Sequence, residues 1–242
     1  MNRTIKIFSS PYELAEKFAE ELIRMIIKSS LNKKVFKVAL SGGSTPALLF
    51  SLLGDNFSKS VKWNNVHFFW GDERCVPPDS AESNYGMTKR MLFDKIDIHS
   101  SNIHRIRGED DPEKEAIRYS REISDYTSRR EGLPCFDLVI LGLGEDGHTA
   151  SIFPGHTESF SSDRICEVAV HPLNQMKRVT ITGRIINNAD SVVFLVTGLN
   201  KSSVVEDILK KGDPDHSTPA AFIVPVNGTL SWFIDEDAGS LL

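Results

Sequence analysis

Three apolar, β-rich runs each stop at a loop rich in glycine or charge, with a helix-length segment before the next. VFKVAL (residues 35–40) stops at SGGSTP and is followed by ALLFSLL; VHFFW (66–70) stops at GDER; FDLVILG (136–142) runs into LGEDGHTASIFPG. Short apolar runs of this kind suit strands covered on both sides. Their alternation with helices implies a mostly parallel sheet with helices on both faces. Residues 11–30 carry Leu14, Phe18, Leu22, Met25 and Ile26 at helical spacing, with Ser9 or Ser10 as a cap ahead of Pro11. Further helices are expected over residues 85–93, over the charged segment 112–130, whose charges read as a wet face, and over 201–209. Strands are expected over 178–182, 191–197 and 230–234. No repeat, low-complexity tract or long linker interrupts residues 1–242, so a single α/β domain is expected.

The chain's chemistry excludes several classes of function. No apolar run approaches the roughly 20 residues that span a bilayer, so no membrane role is expected. MNRTIKIFSSPYELAEKF meets charges and a proline before a signal-peptide core can form, which makes the cytoplasm the expected location. A formal net charge of −5 provides no basic face for nucleic acid. Cys75, Cys135 and Cys166 are widely spaced and never form C-x-x-C, so neither a disulfide framework nor a zinc site is expected. The other histidines (His67, His99, His104, His156, His171 and His216) form no H-x-x-x-H pair with His148, which argues against a metal.

In parallel α/β sheets ligands collect where loops leave the carboxyl ends of strands, and three such loops carry the chain's reactive groups. Gly42, Gly43, Ser44 and Thr45 lie between a strand and a helix start, a geometry that binds phosphate through free N–H groups but serves equally as a flexible turn with a Ser or Thr cap. The spacing is not that of a P-loop. In GDER, alternation along a strand projects Asp72 and Arg74 to one side and Glu73 to the other. Asp72 then serves as base or orienting group and Arg74 as anion donor, or the two form a solvated ion pair.

The third loop spells G-x-G-x-x-G at Gly142, Gly144 and Gly147, yet Pro154 limits any helix there to about one turn, and Glu167 lies before or within the next strand-like run, EVAV. Both features contradict a dinucleotide site. What remains is a glycine-rich loop displaying Asp146 and His148, where the acid can orient a general-base imidazole. Arg178, beside Lys177, and Lys201, after a strand, are the cations in reach of an anion held by the first loop.

LSGGSTP, FWGDERCVPPDSAESNYGM and LVILGLGEDGHTASIFPG, in this order, closely resemble the 6-phosphogluconolactonase family, a likeness running from about residue 35 to 201. The resemblance implies a Rossmann-like fold of the sugar-phosphate isomerase type and hydrolysis of a phosphosugar lactone with neither metal nor organic cofactor, by a monomer or small homo-oligomer. It also implies roles. His148 looks like the base that activates water, Arg74 the cation on the tetrahedral oxygen, and Asp146 an orienting partner. Gly42, Gly43, Ser44, Thr45, Arg178 and Lys201 look like phosphate and sugar contacts.

The wider superfamily includes glucosamine-6-phosphate deaminases, whose loop is similar but carries a glutamate five residues after its histidine; here that position is Phe153. Arg74 stands where those enzymes tend to carry tyrosine. A non-catalytic sugar-phosphate sensor is the third reading, though this chain has no spare basic segment to serve as a DNA-binding helix-turn-helix. HPLNQMKRVTIT departs from the lactonase pattern by lacking a proline-rich approach to Arg178, which leaves the role of Lys177 open.

Overall fold

The computed structural model describes residues 3–213 and 218–242; His216 lies outside the described residues. Six parallel strands form the main sheet: β1 (Arg3–Phe8), β2 (Phe36–Leu40), β3 (Val66–Trp70), β7 (Leu138–Leu141), β10 (Ser191–Val196) and β11 (Thr229–Asp235). Their spatial order is β1-β11-β10-β7-β2-β3. Leu138, Val139, Ile140 and Leu141 are all buried although successive side chains point to opposite faces, so both faces of the sheet centre are covered.

α1 (Pro11–Leu31) packs on α2 (Ser44–Asn56) and on β11. Its start is doubly tied: Ser10 Oγ accepts from the Glu13 N–H, and the Glu13 carboxylate accepts from the Ser9 N–H and hydroxyl. Such reciprocal capping fixes the chain entry at a helix start. α3 (Asn84–Met91), α4 (Pro112–Tyr126), the single turn α5 (Gly183–Ile186) and α6 (Ser202–Leu209) complete the helices. Tyr119 of α4 anchors to the end of β3, its hydroxyl donating to the Trp70 carbonyl and accepting from the Trp70 N–H. Buried side chains from α1, α2, α4, α6 and the inner strands form one hydrophobic cluster, against which partly buried residues such as Phe8 of β1 and Tyr85 of α3 pack.

A second, antiparallel sheet sits over the carboxyl end of β3. It contains β4 (Asp72–Arg74), β9 (Lys177–Ile181) and β8 (Cys166–Val170), in the order β4-β9-β8. Gly71 joins the two sheets: its N–H donates to Leu40 O and its carbonyl accepts from the Ile181 N–H, both at 2.8 Å. A two-stranded ribbon, β5 (Ser128–Arg130) with β6 (Leu133–Cys135), lies apart.

Several expectations need correction. β1 was not foreseen. The helix expected through residue 130 ends at Tyr126, and residues 128–130 form β5. The wet face of α4 is interrupted by Glu115, which is buried and accepts from Arg118 and the Arg107 N–H. The first loop has no Ser or Thr cap: Gly43 caps α2, at φ 105°. GDER lies in the second sheet and is no simple loop. The three thiols are unpaired, and no helix among the described residues is long and apolar enough to cross a membrane.

Candidate active site

β2 leads on to β3 on one side of the sheet, whereas β7, β10, β11 and β1 extend from its other side. The order in which successive strands are laid down therefore reverses between the parallel strands β2 and β7, where the loops leaving the two strands open a crevice. A cavity of about 210 Å³ lies there, with Ser41, Gly42 and Gly43 on one wall and Gly142, Leu143, Gly144 and His148 on another. Asp72, Arg74, Asn84, Ala150, Arg178 and Lys201 close it.

His148 is held on three sides. Its Nδ1 lies 2.6 Å from Asp146 Oδ1, which also accepts the His148 backbone N–H at 3.1 Å, and its ring packs against Phe153 with centroids 5.0 Å apart. Burial pushes the Asp146 carboxyl up, but the hydrogen bonds from His148 outweigh that effect and hold it down at about 2. An ionised Asp146 fixes the proton on Nδ1 and leaves Nε2 as a lone-pair acceptor. Gly144 makes this packing feasible: a Cβ there would stand 2.0 Å from His148 Nδ1 and 2.5 Å from Asp146 Oδ1.

The opposite wall is cationic. In the antiparallel pair β4·β9, Asp72 faces Thr180 and Arg74 faces Arg178, so all four share one side while Glu73 and Val179 take the other. Like charges directly opposed across strands destabilise a sheet. Here both guanidiniums also keep a buried Nε with no hydrogen-bond partner among the described residues. Burial pushes Arg178 down, and the nearby Asp72 only partly counters it. Asp72 Oδ2 accepts from the Ser151 hydroxyl at 2.6 Å and lies 3.7 Å from Arg178 Nη1. Arg74 Nη1 is committed to the Glu82 carbonyl at 2.6 Å. A site that accumulates unpartnered buried donors is arranged for an anion.

Glu73, on the far side of β4, has a structural task. Its carboxylate accepts the N–H groups of Arg74, Asn84 and Tyr85 and the Ser83 hydroxyl, which pins the start of α3 to β4. Burial nevertheless raises its carboxyl from the ordinary value.

Gly42, Gly43, Asp72, Arg74, His148, Arg178 and Lys201 are brought together around the cavity, and Asp146 stands behind His148. Ser44 and Thr45 are not in its lining. The Thr45 hydroxyl pairs with Thr197 at 2.7 Å, and the N–H groups of Ser44 and Thr45 lie in the first turn of α2, where a helix offers no intrahelical acceptor. Lys201 precedes α6 in a short turn tied to the loop after β7 by Asn200 Nδ2, which donates to Glu145 Oε1. Lys177 is exposed at the start of β9 and is not among the cavity's lining residues. No cluster of His, Cys, Asp and Glu suited to a metal occurs among the described residues. Ser41, Ser151 and Asn84 also line or adjoin the cavity; the sequence assigned them no role of their own, although all three lie within the stretches that carry the family resemblance.

The model of the family described as glucosamine-6-phosphate isomerases/6-phosphogluconolactonase matches residues 9–232. A 6-phosphogluconolactonase of Aggregatibacter actinomycetemcomitans is 40% identical over 236 residues, spanning 97% of this chain and 98% of the relative. Among solved structures, the devB protein superposes with a TM-score of 0.93 at 38% identity, covering 98% of each chain. The 6-phosphogluconolactonase of Trypanosoma brucei gives 0.89 at 29% identity, covering 99% of this chain and 98% of its own.

Proposed function

The chain belongs to the glucosamine-6-phosphate isomerase/6-phosphogluconolactonase family, and from that premise we infer that it hydrolyses 6-phospho-D-glucono-1,5-lactone to 6-phospho-D-gluconate in the oxidative pentose phosphate pathway. The observation that carries this reading is a carboxylate-buttressed histidine sharing one cavity with two guanidiniums whose Nε atoms have no hydrogen-bond partner among the described residues.

His148 Nε2 takes a proton from water as the water oxygen attacks the lactone carbonyl carbon. Asp146 stabilises the resulting imidazolium. Negative charge gathers on the former carbonyl oxygen, where Arg74 is the donor. Collapse of the tetrahedral intermediate breaks the bond to the ring oxygen, and the proton held by His148 passes to that oxygen to complete the hydroxyl of the open acid. The amides of Gly42, Gly43, Ser44 and Thr45, with Arg178 and Lys201, hold the phosphate and sugar. Asp72 keeps Arg178 in place. None of these steps calls on a metal or an organic cofactor.

The proposed activity is assigned to a monomer or small homo-oligomer in the cytoplasm. Phe153 is buried against His148, which puts an apolar ring where a deaminase would need a proton-exchanging group.

Ligand binding and ammonia release separate these readings. 6-Phosphogluconate at one hundred times its Kd should add about 2.7 kcal/mol of stability and raise Tm by about 5–10 °C for a chain of this size. Glucosamine-6-phosphate should release no ammonia. Ammonia release without stabilisation by 6-phosphogluconate would transfer the site to the deaminase branch.

A further inference from the structure

Resting on the lactonase reading, we propose that Asn84 is a substrate-contacting residue that recognises a hydroxyl of the sugar through its side-chain carbonyl. Asn84 opens α3, is 3% exposed and lines the cavity beside Gly42 and Asp72. Its backbone N–H is bound by Glu73 Oε1 at 2.8 Å, and its Nδ2 donates to the Asp72 carbonyl at 3.0 Å. That second bond settles the orientation of the amide, because the reverse orientation would set two oxygens against each other.

Oδ1 therefore faces the phosphate loop, where a Cβ on Gly42 would lie 1.8 Å from it. It accepts no hydrogen bond among the described residues. The side chain thus bridges β4 and the first loop and ends in an open acceptor.

The chemistry of the cavity explains why a neutral acceptor belongs there. Arg74, Arg178 and Lys201 supply donors for anionic oxygens, but a sugar hydroxyl needs an acceptor for its proton. A second carboxylate would repel the phosphate that the cations hold. A carboxamide accepts the hydroxyl proton without adding charge, and its rigid attachment at two points lowers the ordering cost of binding.

Competitive inhibition by two ligands tests the assignment. 6-Phosphogluconate carries hydroxyls and a phosphate; inorganic phosphate carries only the anion. Asn84→Ala should weaken inhibition by 6-phosphogluconate roughly 3- to 10-fold and raise KM for the lactone similarly, with kcat and the inhibition constant of inorganic phosphate changing by less than about 2-fold. Asn84→Ser, whose hydroxyl suits a helix start, should give the same split and covers poor folding of the alanine variant. Equal weakening of both inhibitors would make Asn84 a prop for the phosphate loop and overturn the proposal, as would no change in either. A wild-type protein that binds neither 6-phosphogluconate nor the lactone would instead overturn the lactonase reading, and this assignment with it.

Discussion

His148→Ala is expected to lower kcat for lactone hydrolysis by about 10²- to 10⁴-fold, the usual contribution of a positioned general base, while 6-phosphogluconate still binds. The separation follows from geometry. His148 is presented by the loop after β7, whereas the groups assigned to the phosphate come from the loop after β2, from β9 and from the turn before α6. Removing the imidazole leaves those elements intact, because its hydrogen bonds run back to Asp146 within the same loop. Steady-state kinetics with a titration of 6-phosphogluconate reads both quantities. Full turnover by the variant would remove His148 from the chemistry; loss of binding together with turnover would make it a structural residue.

Arg74→Ala is expected to cost about 10²- to 10³-fold in kcat, the scale of a single oxyanion donor, with a smaller change in KM. Arg74 and Arg178 face each other across β4 and β9, but they are differently committed. Arg178 is buried beside Asp72 and over the Phe153 ring, while Arg74 is half-buried with one Nη bound to Glu82. Arg74 thus sits on a fixed fork with its Nε open, the arrangement suited to charge that appears only in the transition state. Arg74→Lys keeps the charge without the fork and should recover only part of the loss. A rise in KM with kcat unchanged would make Arg74 a ground-state phosphate contact, and the oxyanion would need another donor.

Most of the site was legible because its parts are local. The alternation of GDER placed Asp72 and Arg74 together before their cross-strand partners were known, and Pro154 removed the dinucleotide reading of the glycines. Parallel strands buried on both faces announce themselves as continuous apolar runs, which is why β2, β3 and β7 were visible. β1 was hidden because RTIKIF is an edge strand with two cations and no buried residue. The end of α4 was hidden because SRR continues a helical pattern of charge; only pairing of residues 128–130 with 133–135 makes it a strand.

Contacts between distant segments left no local mark. Ser151 bonds Asp72 across 79 positions, and Asn84 reaches Gly42 through α3. Burial of Glu115 depends on Arg118 and the Arg107 backbone, partners whose apposition needs the folded chain.

The most direct measurement follows the lactone itself. Glucose-6-phosphate dehydrogenase generates it in situ, and its disappearance is recorded with and without the purified protein in metal-chelated buffer. Lactonase activity requires hydrolysis well above the spontaneous rate, proportional to protein concentration and abolished to near background by His148→Ala. A lactone that decays at the spontaneous rate in the presence of folded wild-type protein would contradict it.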